Sequence, residues 1–357
     1  LKWIDHTLSA DAQRLARDIL DHAASPLSAS AQAHPAVAEA SSFPVDLIPQ
    51  YPSWPVGGTE TKSGSNPNHY ADGGSLEGLP GTLHLSDSQF FPYTNASGNY
   101  GLCTLGATSA WQRSSLFMTN GYVWITGLGE GMVTNAIAIR GYATTKAAQE
   151  QPVVLRLHSD GGLSCASVTL TNGGTLAVGA GAQTAGTFRV GGDLDVFTNS
   201  ALHLHGHATN GFTPLVAARN INVRQGGTLS GAGRGYGGRD GNGGAYGPGA
   251  GGGTTSGGGH GGAGGGGSGG ATYGSSNAPV TSGSGGGGSA SWPGGNGGSA
   301  VHVVCHSLTL DGSLTSDGGN GNRSGGGAGG GLWIECSKLI GSGTLSATLN
   351  GMSVSIP

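Results

Sequence analysis

Five segments of this chain can be laid over one another, and that repeat limits the possible folds more than any other feature. They run Val168–Val178, Leu194–Leu204, Ile221–Gly231, Leu308–Ser316 and Leu339–Ala347. Each opens on an apolar pair, turns a tight Gly, Ser or Asn corner and resumes on a Leu. That Leu follows the start by 8 residues in the first three (Leu176, Leu202, Leu229) and by 6 in the last two (Leu314, Leu345). Successive starts lie 26, 27, 87 and 31 residues apart. A recurrence of roughly 20–50 residues is the mark of a solenoid. Short alternating strands with Gly corners and no helical period between them fit a right-handed parallel β-helix better than a leucine-rich or helical array. The 87-residue step is then one coil that carries an insertion.

A second strand precedes each of the last four segments: Phe188–Val190, Leu215–Ala217, Val301–Val304 and Leu332–Ile334. The position three residues before each start then aligns as Cys165, Gly191, Ala218, Cys305 and Cys336. Equivalent positions in a parallel β-helix stack about 4.8 Å apart, so small residues in one column imply a crowded inward site. The register places Cys305 beside Cys336, at a Cα separation a disulfide tolerates. An oxidising compartment would give Cys305–Cys336, with Cys103–Cys165 as a second pair. Otherwise the thiols are buried as small apolar groups.

Glycine is 75 of the 357 residues, clustered rather than strictly every third, which excludes collagen. Between Gly231 and Ala300, 34 of 70 residues are Gly, and a shorter block spans Gly318–Gly331. Both ends of the long block are pinned within one coil. Ordering Gly is entropically costly, so an ordered block must pair its backbone N–H and C=O groups with neighbours. Extended polyglycine-II-like strands packed side by side would do so, because only Gly permits that approach. The competing reading is a poorly ordered loop.

Charge excludes further classes. With 15 Lys+Arg against 19 Asp+Glu, the net of −4 offers no basic surplus for nucleic acid. An apolar fraction of 36% argues against a wholly disordered chain. No run reaches the roughly 18 apolar residues that span a bilayer.

The remainder divides by composition. Residues 1–25 hold an amphipathic helix over Ser9–Ala24, with Leu8, Ala12, Leu15, Ala16, Ile19, Leu20 and Ala23 on one face. Residues 26–75 are a Pro-, Ala- and Ser-rich segment, either an extended strap or a disordered linker. Residues 76–150 are an irregular β module, and 151–357 are the β-helix with its insertion at 231–300. The chain opens at Leu1 with no signal pattern, so it reads as a processed product or a fragment. Four Cys, the sequons at Asn95 and Asn322, and few charges lean extracellular or surface-exposed.

The run from Val303 through Gly321, and on through Gly325–Gly331 into Leu332–Cys336, resembles glycine-rich β-helix proteins of surfaces. These are bacteriophage tail-fibre and adhesin proteins and large secreted or cell-surface proteins of bacteria and protists. The resemblance covers Val153 to the C-terminus and implies a non-catalytic extracellular fibre, adhesin or coat component without a cofactor.

Candidate chemistry is sparse. His203, His205 and His207 alternate, so on a strand they share one face opposite Leu202 and Leu204. They are weak candidates for Zn²⁺ or Cu²⁺; otherwise they form a solvated or interface-facing row. Asp193 and Asp195 share an outer face, with Arg219 and Arg224 one coil along. Paired carboxylates are what a polysaccharide lyase or hydrolase would need. Tyr236, Tyr246, Tyr273 and Trp292 within the Gly block either contact a sugar or protein partner or seal the block against the coil. The expected role is a structural subunit in a homopolymer or among other fibre subunits. The first alternative is an adhesin for a surface glycan or receptor; the second is the polysaccharide enzyme.

Overall fold

A computed structural model of the chain describes residues 83–85, 102–105, 111–118, 122–141, 154–181, 184–239, 245–289, 291–321, 323–348 and 353–355. The helix expected over Ser9–Ala24 and the strap at 26–75 lie outside them, and no helix occurs among the described residues. None of those residues therefore belongs to a helix long and apolar enough to cross a membrane.

The described chain is mainly β, and nearly all of its strand pairs are parallel. The strands are β1 (Leu83–Leu85), β2 (Leu102–Leu105), β3 (Trp111–Arg113), β4 (Leu116–Met118), β5 (Tyr122–Arg140), β6 (Val154–Thr171), β7 (Thr175–Ala180) and β8 (Thr187–Val196). They continue as β9 (Ala201–His205), β10 (Leu215–Val223), β11 (Thr228–Ser230), β12 (Val301–Leu310), β13 (Ser313–Thr315), β14 (Leu332–Ile340), β15 (Thr344–Ser346) and β16 (Ser353–Ser355). Strand order is β14-β12-β10-β8-β6-β7-β9-β11-β13-β15-β16, with only the β15–β16 pair antiparallel among these. Strands alternate between the two arms of this order as the chain advances. A long strand is laid on one arm, a short one on the other, and the next repeat lands one strand further out on each.

The long strands β8, β10 and β12 each contain two runs separated by a break, so they supply two outward columns and two inward ones. Alternation drives this. Leu194 and Val196, Ile221 and Val223, and Leu308 and Leu310 are all fully buried, with polar residues between them. Like residues stack on like. Leu176, Leu202, Leu229 and Leu314 form one ladder, every member at 0% exposure, and Val168, Leu194, Ile221 and Leu308 form another.

One column departs from the alignment read from sequence. Cys165 pairs with Val190, not Gly191, and the column runs Cys165–Val190–Ala218–Cys305–Cys336. The Gly191–Gly192 pair inserts one residue between Val190 and Asp193, where the neighbouring strand has only Arg219 between Ala218 and Asn220. The register shift there is a bulge, which absorbs the extra residue and restores pairing at Leu194.

The corners between long and short strands need left-handed backbone. Asn199 adopts φ 61° and Gly226 φ 74°, and Asn199 N donates to Gly226 O at 2.9 Å, stacking one corner on the next. Asn tolerates this region better than other residues with a side chain.

The glycine block contains no named strand, yet its backbone groups are paired in a period of three. Gly283 and Gly286 donate to the carbonyls of Gly298 and Gly295, both at 2.8 Å. The carbonyls of the residues that follow each, Ser284 and Gly287, accept from Ala328 at 2.9 Å and Gly325 at 2.8 Å. Gly294 and Gly297 donate to Arg239 and Tyr236, while Gly295 and Gly298 donate to Gly325 and Ala328. Residues three apart on one segment thus address the same neighbour, and adjacent residues address different ones. The two Gly blocks interleave rather than lie apart. They join the sheet through Gly231 N to Thr315 O and Gly330 N to Ser316 O, both 2.7 Å.

This packing separates glycines the lattice requires from those it does not. A Cβ on Gly297 would fall on the Gly283 carbonyl, whereas one on Gly265 would meet nothing within 4 Å. Gly297→Ala should destabilise the block by roughly 1–3 kcal/mol, and Gly265→Ala by less than about 0.5 kcal/mol. Denaturant titrations of both variants, with amide exchange at Gly283, measure the contrast; equal effects would contradict the interleaved packing.

Candidate functional site

The most ordered polar surface lies on the outer side of β8 and β10. Asp193 and Asp195 project there, opposite the buried Leu194 and Val196. Asn220 Nδ2 donates to Asp193 Oδ1 at 2.7 Å, and Asn222 Nδ2 to Asp195 Oδ1 at 3.0 Å. Arg224 Nη2 stands 3.9 Å from Asp195 Oδ1, the two side chains 47% and 22% exposed. Arg219 is exposed at the bulge. The two carboxylates stand side by side on one flat strand. A glycosidase pair instead faces inward across a bound sugar. A small crevice lined by Gly162, Leu163, Val178, Gly179 and Pro214 lies apart from them and holds no acid or base.

The three histidines separate. Leu202 and Leu204 are fully buried and His203 is half-buried, as alternation expects, but His205 is only 4% exposed. Arg234 Nη2 meets His203 Nδ1 at 3.1 Å, which sets a guanidinium where a second ligand or solvent would stand. His207 lies beyond the strand in a turn closed by Gly211 N to His207 O, with its Nδ1 3.1 Å from Thr209 Oγ1. Among the described residues no three His, Cys, Asp or Glu side chains converge as metal ligands.

The cysteines are a correction. Cys305 and Cys336 are register partners, but both are free thiols, as is Cys165. The ladder spacing of about 4.8 Å lies within the Cα range a disulfide accepts, so the neighbour relation holds and the bond itself is what is absent. The pair forms a thiol–thiol hydrogen bond instead, which raises Cys305, with burial adding to the rise, and lowers Cys336. The Cys103–Cys165 pairing also fails. Cys103 pairs with Ile125 and Cys165 with Val133, so they occupy different columns. Burial pushes the Cys165 thiol up to about 12.

Of the four aromatics, three are engaged within the Gly block. Tyr236 Oη donates to Asn210 O at 2.9 Å, and burial raises its pKa. Tyr273 donates to Ser282 O and accepts from Ser284 Oγ at 2.8 Å. Its ring meets His260 edge-on at 4.9 Å, and burial pushes its hydroxyl up to about 12. Trp292 has one face covered by the Arg323 guanidinium, 4.7 Å from the ring centroid. Tyr246 is 46% exposed. The sequons at Asn95 and Asn322 lie outside the described residues.

The second distinctive surface is the last repeat. Among the described residues β14 has a neighbour on one side only, β12. Leu332, Ile334, Cys336, Leu339 and Leu345 are only partly buried, although their column-mates Val301, Val303, Cys305, Leu308 and Leu314 are 0–3% exposed. Ile340 is 42% exposed. Beside them, His302 stacks on Trp333 at 4.4 Å with an interplanar angle of 5°, and its Nε2 lies 2.9 Å from Glu335 Oε1.

Sequence reasoning did not find Asn220, Asn222, His302 or Glu335. The first two carry a readable signal: each follows its Asp partner by 27 residues, the spacing of the repeat itself. No family model, no curated protein and no solved structure matches this chain.

Burial lowers the His302 pKa more than Glu335, by hydrogen bond and charge, raises it, so the folded site favours the neutral ring. A base depressed below its unfolded value of about 6.5 leaves stability intact above that pH and removes it as pH falls through the lower folded value. Melting temperature should therefore drop as pH is taken from about 7.5 to about 5, and drop less in His302→Gln. Parallel pH profiles for the two proteins would disprove this.

Proposed function

We propose that the two arms of the sheet are walls of a right-handed parallel β-helix with a polyglycine-II-like insertion. We infer that the protein is a non-catalytic, extracellular structural subunit of a fibre, appendage or surface coat. Parallel in-register pairing across repeats of 26 and 27 residues, and hydrogen bonds of period three in the Gly block, support the architecture.

The observation that carries the functional reading is the incomplete last repeat. An edge strand with unpaired N–H and C=O groups over half-buried apolar side chains is a template for a further strand. The opposite end differs: Leu116 and Met118 on β4 are fully buried although, among the described residues, β4 pairs with β5 alone. Two unlike ends join head to tail, the heterologous contact that builds filaments rather than closed dimers. Subunits add at β14, with the N-terminal arm of residues 1–75 reaching onto the neighbour.

A second reading, a receptor- or carbohydrate-binding adhesin, is favoured by the exposed Tyr246 on the Gly block. No observation favours catalysis at Asp193 and Asp195.

Negative-stain imaging and analytical ultracentrifugation of the wild-type chain test the fibre. It should form concentration-dependent linear assemblies. Ile340→Lys places a charge on the exposed edge and should shift the population to monomer, as should deletion of residues 1–55. A wild-type protein that stays monomeric at every concentration would end this reading.

A further inference from the structure

We propose that the outer face of β8 and β10 is a binding face for a linear, uncharged polysaccharide. The inference goes beyond the structural role above and does not depend on polymerisation.

The face is a regular array rather than a patch. Its two columns run Asp193–Asn220–Ser307–Lys338 and Thr169–Asp195–Asn222–Thr309–Ile340. Neighbours within a column are about 4.8 Å apart, and neighbours along a strand about 6.6 Å. The surface therefore presents hydrogen-bonding groups at a constant step over several strands, with no rim and no cavity. An extended polymer with a repeating unit can follow such a track. A globular partner needs a cluster of desolvated apolar anchors, and the face offers two apolar groups set apart, Phe197 at the corner that closes β8, 39% exposed, and Ile340 at its β14 end, 42% exposed.

The polar groups are held in place, not merely present. Each Asn spends one amide N–H on the Oδ1 of its Asp, at 2.7 and 3.0 Å. What remains outward is one carboxylate oxygen, one amide oxygen and one amide N–H in each pair. Vicinal sugar hydroxyls, each both donor and acceptor, match that mixture, and the Arg224 guanidinium adds donors beside it. Arg224 stacks one repeat above Phe197, since Arg224 N donates to Val196 O at 2.9 Å. An exposed aromatic next to fixed planar polar groups suits a pyranose, with one apolar C–H face and a hydroxylated edge.

Charge selects within that class. Asp193 and Asp195 are balanced by Arg219 and Arg224 on the facing strand. With the carboxylates confined to β8 and matched by arginines on β10, the face offers a polyanion such as nucleic acid no net attraction, whereas a neutral polymer needs none.

Native affinity electrophoresis of the full chain provides the test, in gels containing galactomannan, xyloglucan or mixed-linkage β-glucan, with polygalacturonate as the charged control. At least one neutral polymer should retard the protein. Phe197→Ala and Asn222→Ala should each weaken that retardation by about tenfold or more, while Phe212→Ala, an exposed aromatic on the turn between β9 and β10, leaves it unchanged. Both lost side chains lie outside the core, and circular dichroism melts verify folding. The proposal is overturned if no neutral polymer retards the protein, if polygalacturonate retards it as strongly, or if Phe212→Ala costs as much as Phe197→Ala. Each of these results leaves the filament question open to its own measurement.

Discussion

Every buried backbone N–H and C=O in this chain must find a partner, and the chain has unusually little else with which to stabilise itself. An unpaired buried amide costs about 1–3 kcal/mol, while a glycine brings no side chain whose burial could offset that. With 75 glycines among 357 residues, the hydrogen-bond pattern has to be complete before packing can contribute. Two regular patterns meet the requirement. In the sheet, parallel ladders pair each repeat with the one before and after it. In the Gly block, segments with a period of three donate in turn to different neighbours. The block closes onto the sheet at Gly231 and Ser316, so the two patterns form one network.

In-register stacking has a second consequence: whatever stands at a position must tolerate a copy of its own kind one strand away. Leucines tolerate it well, and the Leu176 and Val168 columns are the core. Hydroxyls do so by bonding to one another, as Ser313 Oγ donates to Thr228 Oγ1 at 3.1 Å and Thr315 Oγ1 to Ser230 Oγ at 2.8 Å. Like charges do not, so Asp193 and Asp195 are stacked against Asn220 and Asn222 rather than against further carboxylates. Cys305 and Cys336 follow the same logic, held at ladder spacing as hydrogen-bonded thiols.

How much of this was legible follows from period. Leu202 and Leu204 could be assigned to the buried side from alternation alone, and the neighbour relation of Cys305 and Cys336 from repeat spacing. Both depend only on counting residues. Counting failed where the chain adds one: the bulge at Gly191–Gly192 shifts the column to Val190, and nothing local in the sequence says which residue is extruded. It also failed where a side chain is covered from outside its own strand. His205 alternates outward yet is buried, and Arg234, which meets its neighbour His203, arrives from beyond the next corner. The same blindness hid the pairing of His302 with Glu335, 33 residues later and across the short Gly block.

The two ends of the sheet show how the network can remain unfinished on purpose. A solenoid has no intrinsic length; each repeat satisfies the one before it and leaves the next set of backbone groups open. Natural edges are therefore closed by a cover, by charge or by a change in pairing direction. Here β16 closes only the short-strand arm, by pairing antiparallel with β15, so the direction that lets a repeat propagate is blocked there. The long-strand arm has neither a covering strand nor a change in pairing direction among the described residues. It ends on β14 with Leu332, Ile334 and Leu339 half-covered and Ile340 outward. Lys338 is the one cation on this strand, and it shares the outer face with Ile340. That asymmetry is what the proposed head-to-tail addition of subunits rests on. It also leaves the polar columns of β8 and β10, several strands inward, uncovered by any neighbour that adds at the end.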